Sequence, residues 1–164
     1  MNNLIPIGLG EYKVSTCATE VLVAYGIGSC LAVGMFDPLT YIAGLLHAVL
    51  PENNGREVNN PKFVDSGIRI LLTEMLQKGA NRRRILIYIA GGASVLNLPG
   101  YTQIFNIGSR NIAAAIAFLS EERLSIASQE IGGQTGRTVR LYVGNGRMTV
   151  QSMGQPERLL GVKL

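Results

Sequence analysis

The sequence predicts an α/β domain built on a mixed, largely antiparallel sheet, and three observations carry that expectation. Short runs rich in Val, Leu and Ile alternate with Gly-rich or Asp-Pro punctuation through residues 20–50 and again after residue 123, the pattern of strands and turns. Two segments, one from Pro61 up to Gly79 and one around Ile107 to Leu119, repeat their apolar residues at helical spacing instead. At 164 residues the chain, 1–164, has the length of one domain and can bury a full core without a staple.

In chain order, Glu20–Tyr25, Leu31–Phe36 and Tyr41–Leu50 read as strands. Pro51–Asn60, "PENNGREVNN", has hardly an apolar residue and several turn formers, so it reads as an exposed loop. Pro61 suits a first helical position behind an Asn60 cap, and Val64, Ile68, Leu71, Leu72 and Met75 line one face of the helix that follows. Ile85–Ala90 is a buried strand closed by Gly91-Gly92; Ile107, Ile112, Ala115, Ile116 and Leu119 mark the second helix. Leu124–Glu130, Thr138–Val143 and Arg147–Met153 return to strands, with Asn145-Gly146 as a hairpin turn. The order βββ-α-β-α-βββ shows no internal repeat and no linker.

Composition excludes several classes. With 47% hydrophobic and 16% charged residues the chain is an ordinary globular one rather than a disordered one. The net charge of +4 has a single dense basic cluster, Arg82-Arg83-Arg84, with no aromatic, finger or basic-helix motif beside it. It reads as a solvated strand start, and no nucleic-acid partner is expected. The N-terminus lacks a charged region and a long apolar core, and no apolar run approaches the ~18 residues of a membrane span, so a cytoplasmic protein without membrane insertion is expected. In that compartment Cys17 and Cys30 are expected as free thiols.

Cys30 follows a Gly26-x-Gly28-Ser29 turn, and the sole histidine, His47, lies 17 residues on. If the hairpin between them has Asp37–Thr40 as its loop, opposed residues have numbers that sum to 77, as Cys30 and His47 do. The two then face each other with Cβ atoms roughly 4.5–5.5 Å apart. An imidazole at that distance takes the thiol proton, and a thiolate–imidazolium pair lowers a cysteine pKa that otherwise sits near ~8.5. A slip of one residue would put them on opposite faces. Gly26 and Gly28 allow backbone amides near Gly28, Ser29 and Cys30 to aim at a developing oxyanion.

Taken singly, a lone cysteine is most often buried filler and a lone histidine a satisfied core residue; it is the facing pair at a glycine turn that points to a nucleophile and its base. One histidine without a CxxC falls short of a zinc site, so no metal is expected. The third glycine of a dinucleotide fingerprint is Leu31, and no helix follows, so no nucleotide cofactor is expected either. Cys17 has no second histidine to activate it and reads as structural.

These residues resemble the CheD family of chemoreceptor glutamine deamidases. Its G-L-G-S-C-V-A-V segment reads here Gly26-Ile27-Gly28-Ser29-Cys30-Leu31-Ala32-Val33, followed by Asp37-Pro38 and, for its H-x-M-L-P segment, His47-Ala48-Val49-Leu50-Pro51. "PKFVDSGI" from Pro61, "AGGAS" from Ala90, "NIGSRN" from Asn106 and "GGQTGR" from Gly132 extend the likeness over nearly the whole chain. The resemblance implies a layered α/β sandwich with two main helices, acting on glutamine side chains of methyl-accepting chemoreceptors. Carried over, Cys30 would attack the carboxamide and His47 would shuttle the proton, with no cofactor, and a CheC-type phosphatase would be a further partner.

One departure from the pattern stands out. The family threonine that orients the histidine lies six residues before the cysteine, where this chain has Ala24. A backbone carbonyl can take its place, which the outward direction expected for Tyr25 favours; a hydroxyl of Tyr25 or Thr19 can; or the protein is a weakly active or inactive adaptor that binds receptor or phosphatase. Phe63 for Tyr and Glu130 for Asp are lesser departures.

Overall fold

In the computed structural model, which describes residues 1–58, 60–94 and 106–160, the chain runs β1 (Asn3–Pro6), β2 (Tyr12–Ser15), β3 (Glu20–Ile27), β4 (Leu31–Asp37), β5 (Ile42–Ala48), α1 (Val64–Gln77), β6 (Leu86–Gly91), α2 (Ile107–Glu121), β7 (Ile126–Ile131), β8 (Arg137–Tyr142), β9 (Met148–Ser152) and β10 (Arg158–Leu159). The strands form two five-stranded sheets, ordered β1-β3-β8-β9-β10 and β2-β5-β4-β6-β7. β1 with β3 and β6 with β7 pair in parallel, and every other pair is antiparallel. The α/β class and the two main helices are as expected; the strands make two mixed sheets rather than one.

Side-chain alternation sets the layers. All seven residues of β4 are buried, because both faces of its sheet are covered. Leu31, Val33 and Met35 pack toward α1 and α2 with Ile68, Leu71, Met75, Ala115 and Leu119. Ala32 and Phe36 point the other way, against Leu22 and Ala24 of β3, Leu141 of β8 and Val150 of β9. β5 divides likewise, with Ala43 and Leu45 facing the other sheet. β8 instead alternates buried with half-buried residues, since only its inner face meets the second sheet. The helices therefore cover one sheet, which stacks on the other.

The start of α1 and the β4–β5 register both differ from the sequence expectation. α1 begins at Val64 with Phe63 as its cap residue, not at Pro61 behind Asn60. The carbonyl of Lys62 accepts the amides of Val49 and Leu50, and Leu50 bridges Phe63 in parallel, so Pro61 and Lys62 form a turn held against the end of β5 and only Phe63 is extended before the helix. The β4–β5 register is also displaced by two residues: Asp37 pairs with Ile42 and Ala32 with His47, where Cys30 was expected opposite His47.

The displacement starts at Asp37. Its buried carboxylate accepts the amides of Leu39 (3.0 Å), Thr40 (3.4 Å) and Asn81 (2.8 Å) and both arms of Arg84 (3.0 and 2.9 Å). Chiefly the Arg84 guanidinium holds it well below the usual carboxylate range. Asp37 thus stays in the strand, and the loop becomes Pro38–Tyr41, with Tyr41 left-handed at φ 59°. Arg82 of the same basic cluster pairs with Glu122, so two of the three arginines ahead of β6 make ion pairs while staying partly exposed.

Candidate active site

The turn from β3 into β4 is held by its carbonyls. The oxygen of Gly28 accepts from Ala93 (2.8 Å), that of Ser29 from the side-chain amide of Asn111 (2.8 Å) and that of Cys30 from Gly92 (2.8 Å). The amides of Gly28 and Ser29 bond no described residue, and the Cys30 amide lies against its own thiol. Gly91, at φ 118°, passes so close that a Cβ there would sit 2.4 Å from the Cys30 oxygen. The buried guanidinium of Arg137 braces this corner by donating to the carbonyls of Gly91 (3.1 Å) and Gly132.

Cys30 is half-buried against the core between the sheets. His47, only 2% exposed, stands on the same side of its sheet, opposite Ala32. Because the register differs from the expected one by an even number, the shared face survives, and continuing the register one residue past Leu31 would set Cys30 diagonal to His47. Diagonal residues in a regular pair lie roughly 7–8 Å apart, their Cβ atoms somewhat closer, within reach of aromatic and long side chains.

Nδ1 of His47 is 3.0 Å from the carbonyl oxygen of Ile7. A carbonyl only accepts, so Nδ1 carries the proton of the neutral ring and Nε2 keeps a bare lone pair. Nε2 is buried and hydrogen-bonds no described residue, Cys30 included. The His47 backbone is fixed on both sides, its amide donating to Glu11 (2.9 Å) and its carbonyl accepting from Gly10 (2.8 Å). Ala24 sits in the inter-sheet core, while Tyr25 points outward, 51% exposed, and the Thr19 hydroxyl bonds Cys17. Neither hydroxyl reaches the ring.

Burial pushes the Cys30 thiol up. Burial likewise pushes His47 down, against the smaller opposing pulls of Ile7 and Glu11. Both shifts favour neutral thiol beside neutral imidazole, so the thiolate–imidazolium pair expected from the sequence is not the favoured resting state. Cys17 is exposed rather than structural filler, and its hydrogen bond from Thr19 lowers its pKa.

Among the described residues no group of three His, Cys, Asp or Glu side chains is placed to hold a metal ion, and no helix is long and apolar enough to cross a membrane. An open groove lined by Gly26, Gly136, Arg137, Gln151 and Met153 flanks the Cys30 turn. The sequence reading missed Ile7, and it quoted Asn111 and Arg137 only as the last residues of "NIGSRN" and "GGQTGR" without giving either a role.

The family model described as CheD chemotactic sensory transduction matches residues 49–152. The chain belongs to the CheD family. A relative named "Probable chemoreceptor glutamine deamidase CheD" from Symbiobacterium thermophilum is 36% identical over 157 residues, 94% of this chain and 95% of its own. The protein of that name from Caldanaerobacter subterraneus is 36% identical over 155 residues (93% and 95%), and that from Desulfitobacterium hafniense 32% over 161 (98% and 100%). The CheD model match begins beyond Cys30 and His47, whereas these relatives align over nearly the whole chain.

Proposed function

We propose that this protein hydrolyses the side-chain amide of glutamines on methyl-accepting chemoreceptors to glutamate through a thioester on Cys30. The names of its CheD relatives supply the substrate class. The observation that supports the chemistry is His47: its Nδ1 is committed to Ile7 and its Nε2 has no partner among the described residues, on the face that carries Cys30. That is the tautomer a base needs.

Cys30 Sγ attacks the carboxamide carbon while Nε2 takes the thiol proton, so the neutral resting pair is deprotonated only during attack. The amides of Gly28 and Ser29, which have no partner among the described residues, receive the oxyanion. Collapse breaks the C–N bond, and Nε2–H protonates departing ammonia. Water then adds to the thioester carbon, giving a proton to Nε2 that returns to Sγ as glutamate leaves. The reaction sits in the cytoplasm, where such a thiol stays reduced.

The competing reading is an adaptor that binds receptor or a CheC-type phosphatase without catalysis. Ala24 favours it, and the Ile7 carbonyl weakens it by supplying an acceptor for His47. Peptide mass spectrometry of receptor incubated with the protein separates the two. Wild type and Cys17→Ala convert glutamine to glutamate, and Cys30→Ala and His47→Ala do not. Conversion by Cys30→Ala would sink the mechanism; a wild type that binds receptor and converts nothing would leave the adaptor.

A further inference from the structure

We infer that Asn111 is a positioning residue that sets the spacing of Cys30 and His47 from behind their sheet; the inference rests on the deamidase reading above. The β4–β5 ladder stops at the pair Leu31 and Ala48. One residue further the two strand ends are drawn to different neighbours: Cys30 accepts from Gly92 (2.8 Å), and Val49 donates to Lys62 (2.7 Å). No backbone bond joins the ends beyond that point.

Asn111 joins them instead. Its Nδ2 donates to Ser29 O (2.8 Å) and Val49 O (3.0 Å), using both protons of the amide. Ser29 immediately precedes the nucleophile, and Val49 lies two residues past the base. One rigid NH2 group therefore fixes the separation of the segments that carry them. α2 comes close enough because Gly108, one turn earlier, has no side chain; a Cβ there would meet the Ala93 oxygen at 2.5 Å.

The amide at this place carries a cost as well as a gain in stability. Asn111 is fully buried in a stripe otherwise made of Gly108, Ala114, Ala115, Phe118 and Leu119, and its Oδ1 bonds no described residue. An apolar side chain would avoid that unpaired acceptor but would leave the carbonyls of Ser29 and Val49 without this donor. What the amide supplies that Ala or Leu cannot is the double tie. It works from the helix side of the sheet, whereas Cys30 and His47 face the other sheet, so it does not touch the substrate.

The test uses the full chain as wild type, Asn111→Ala and Asn111→Ser, the last keeping one donor, with receptor deamidation followed by mass spectrometry and activity expressed per folded molecule from thermal melts. The expected result is a kcat lowered about 10- to 100-fold in Asn111→Ala with KM held within about threefold, the signature of misplaced reacting groups rather than lost binding. Asn111→Ser falls between the two and serves as the measurement if Asn111→Ala does not fold. A variant whose folded fraction keeps kcat within about twofold of wild type reduces Asn111 to a packing residue and overturns the inference alone. A wild type that does not deamidate overturns the deamidase reading, and this inference with it.

Discussion

The ring of His47 is oriented by the backbone of Ile7. Ile7 continues β1 by one residue, its amide donating to Val23 (2.7 Å), and the parallel register that pairs Pro6 with Val23 brings it alongside Ala24. The acceptor thus comes from the strand next to the position where the CheD pattern has its threonine. A hydroxyl can donate or accept, whereas a carbonyl only accepts, so this substitute fixes the tautomer at least as strictly.

If the carbonyl suffices, restoring the hydroxyl gains nothing. Ala24→Thr is expected to change kcat by less than about threefold, small beside the 10²–10⁴-fold that a general base contributes. It should also lower the melting temperature, because Ala24 is fully buried between the sheets and extra atoms in a filled core cost about 1–3 kcal/mol. Deamidation kinetics with a thermal melt check both. A tenfold or greater rise in kcat would show that Ile7 holds the ring poorly.

The pH dependence follows from burial of the pair. In the proposed mechanism His47 is a base only when neutral, and its pKa is lowered, so the protonation that would silence it needs a more acidic solution than for an ordinary histidine. The acid limb of kcat/KM is expected below ~6.5. The raised Cys30 pKa places its alkylation midpoint above the ~8.5 of a free thiol, while exposed Cys17, lowered by its Thr19 bond, reacts at lower pH. Iodoacetamide labelling across pH, read peptide by peptide, gives the order. Cys30 reacting at lower pH than Cys17 would show a preformed thiolate–imidazolium pair in the free protein.

The shared face of Cys30 and His47 was legible in the sequence because face depends only on parity, and the even displacement of the hairpin preserved it. The register itself was not, since what extends β4 to Asp37 is contact with Asn81 and Arg84, more than forty residues away. The unbroken apolar runs of β4 and β5 announced strands without saying that a second sheet covers them. β1 and β2, four residues each and partly exposed, carry too little pattern to be seen. The Ile7 carbonyl leaves no mark at all, because every residue has one.

The last expectation concerns how closely the Cys30 backbone is backed. Gly91 holds φ at 118°, and a Cβ there would meet the Cys30 oxygen at 2.4 Å and Ile27 Cγ2 at 2.5 Å. Gly91→Ala therefore carries two penalties, a strained backbone of about 1–3 kcal/mol and a collision that must move Cys30. Gly55 separates them: at φ 72° in the exposed loop it shares the backbone penalty, but a Cβ there meets nothing within 4 Å. Both alanine variants should melt lower, by about 2–4 °C per kcal/mol for a chain of this size. Only Gly91→Ala should lose deamidation, by about 10²-fold, the cost of displacing a reacting group by about an ångström. Since Gly92 donates to the same Cys30 oxygen, the displacement passes directly to the Cys30 peptide. Equal activity per folded molecule in the two variants would mean that the Cys30 turn yields without moving the thiol.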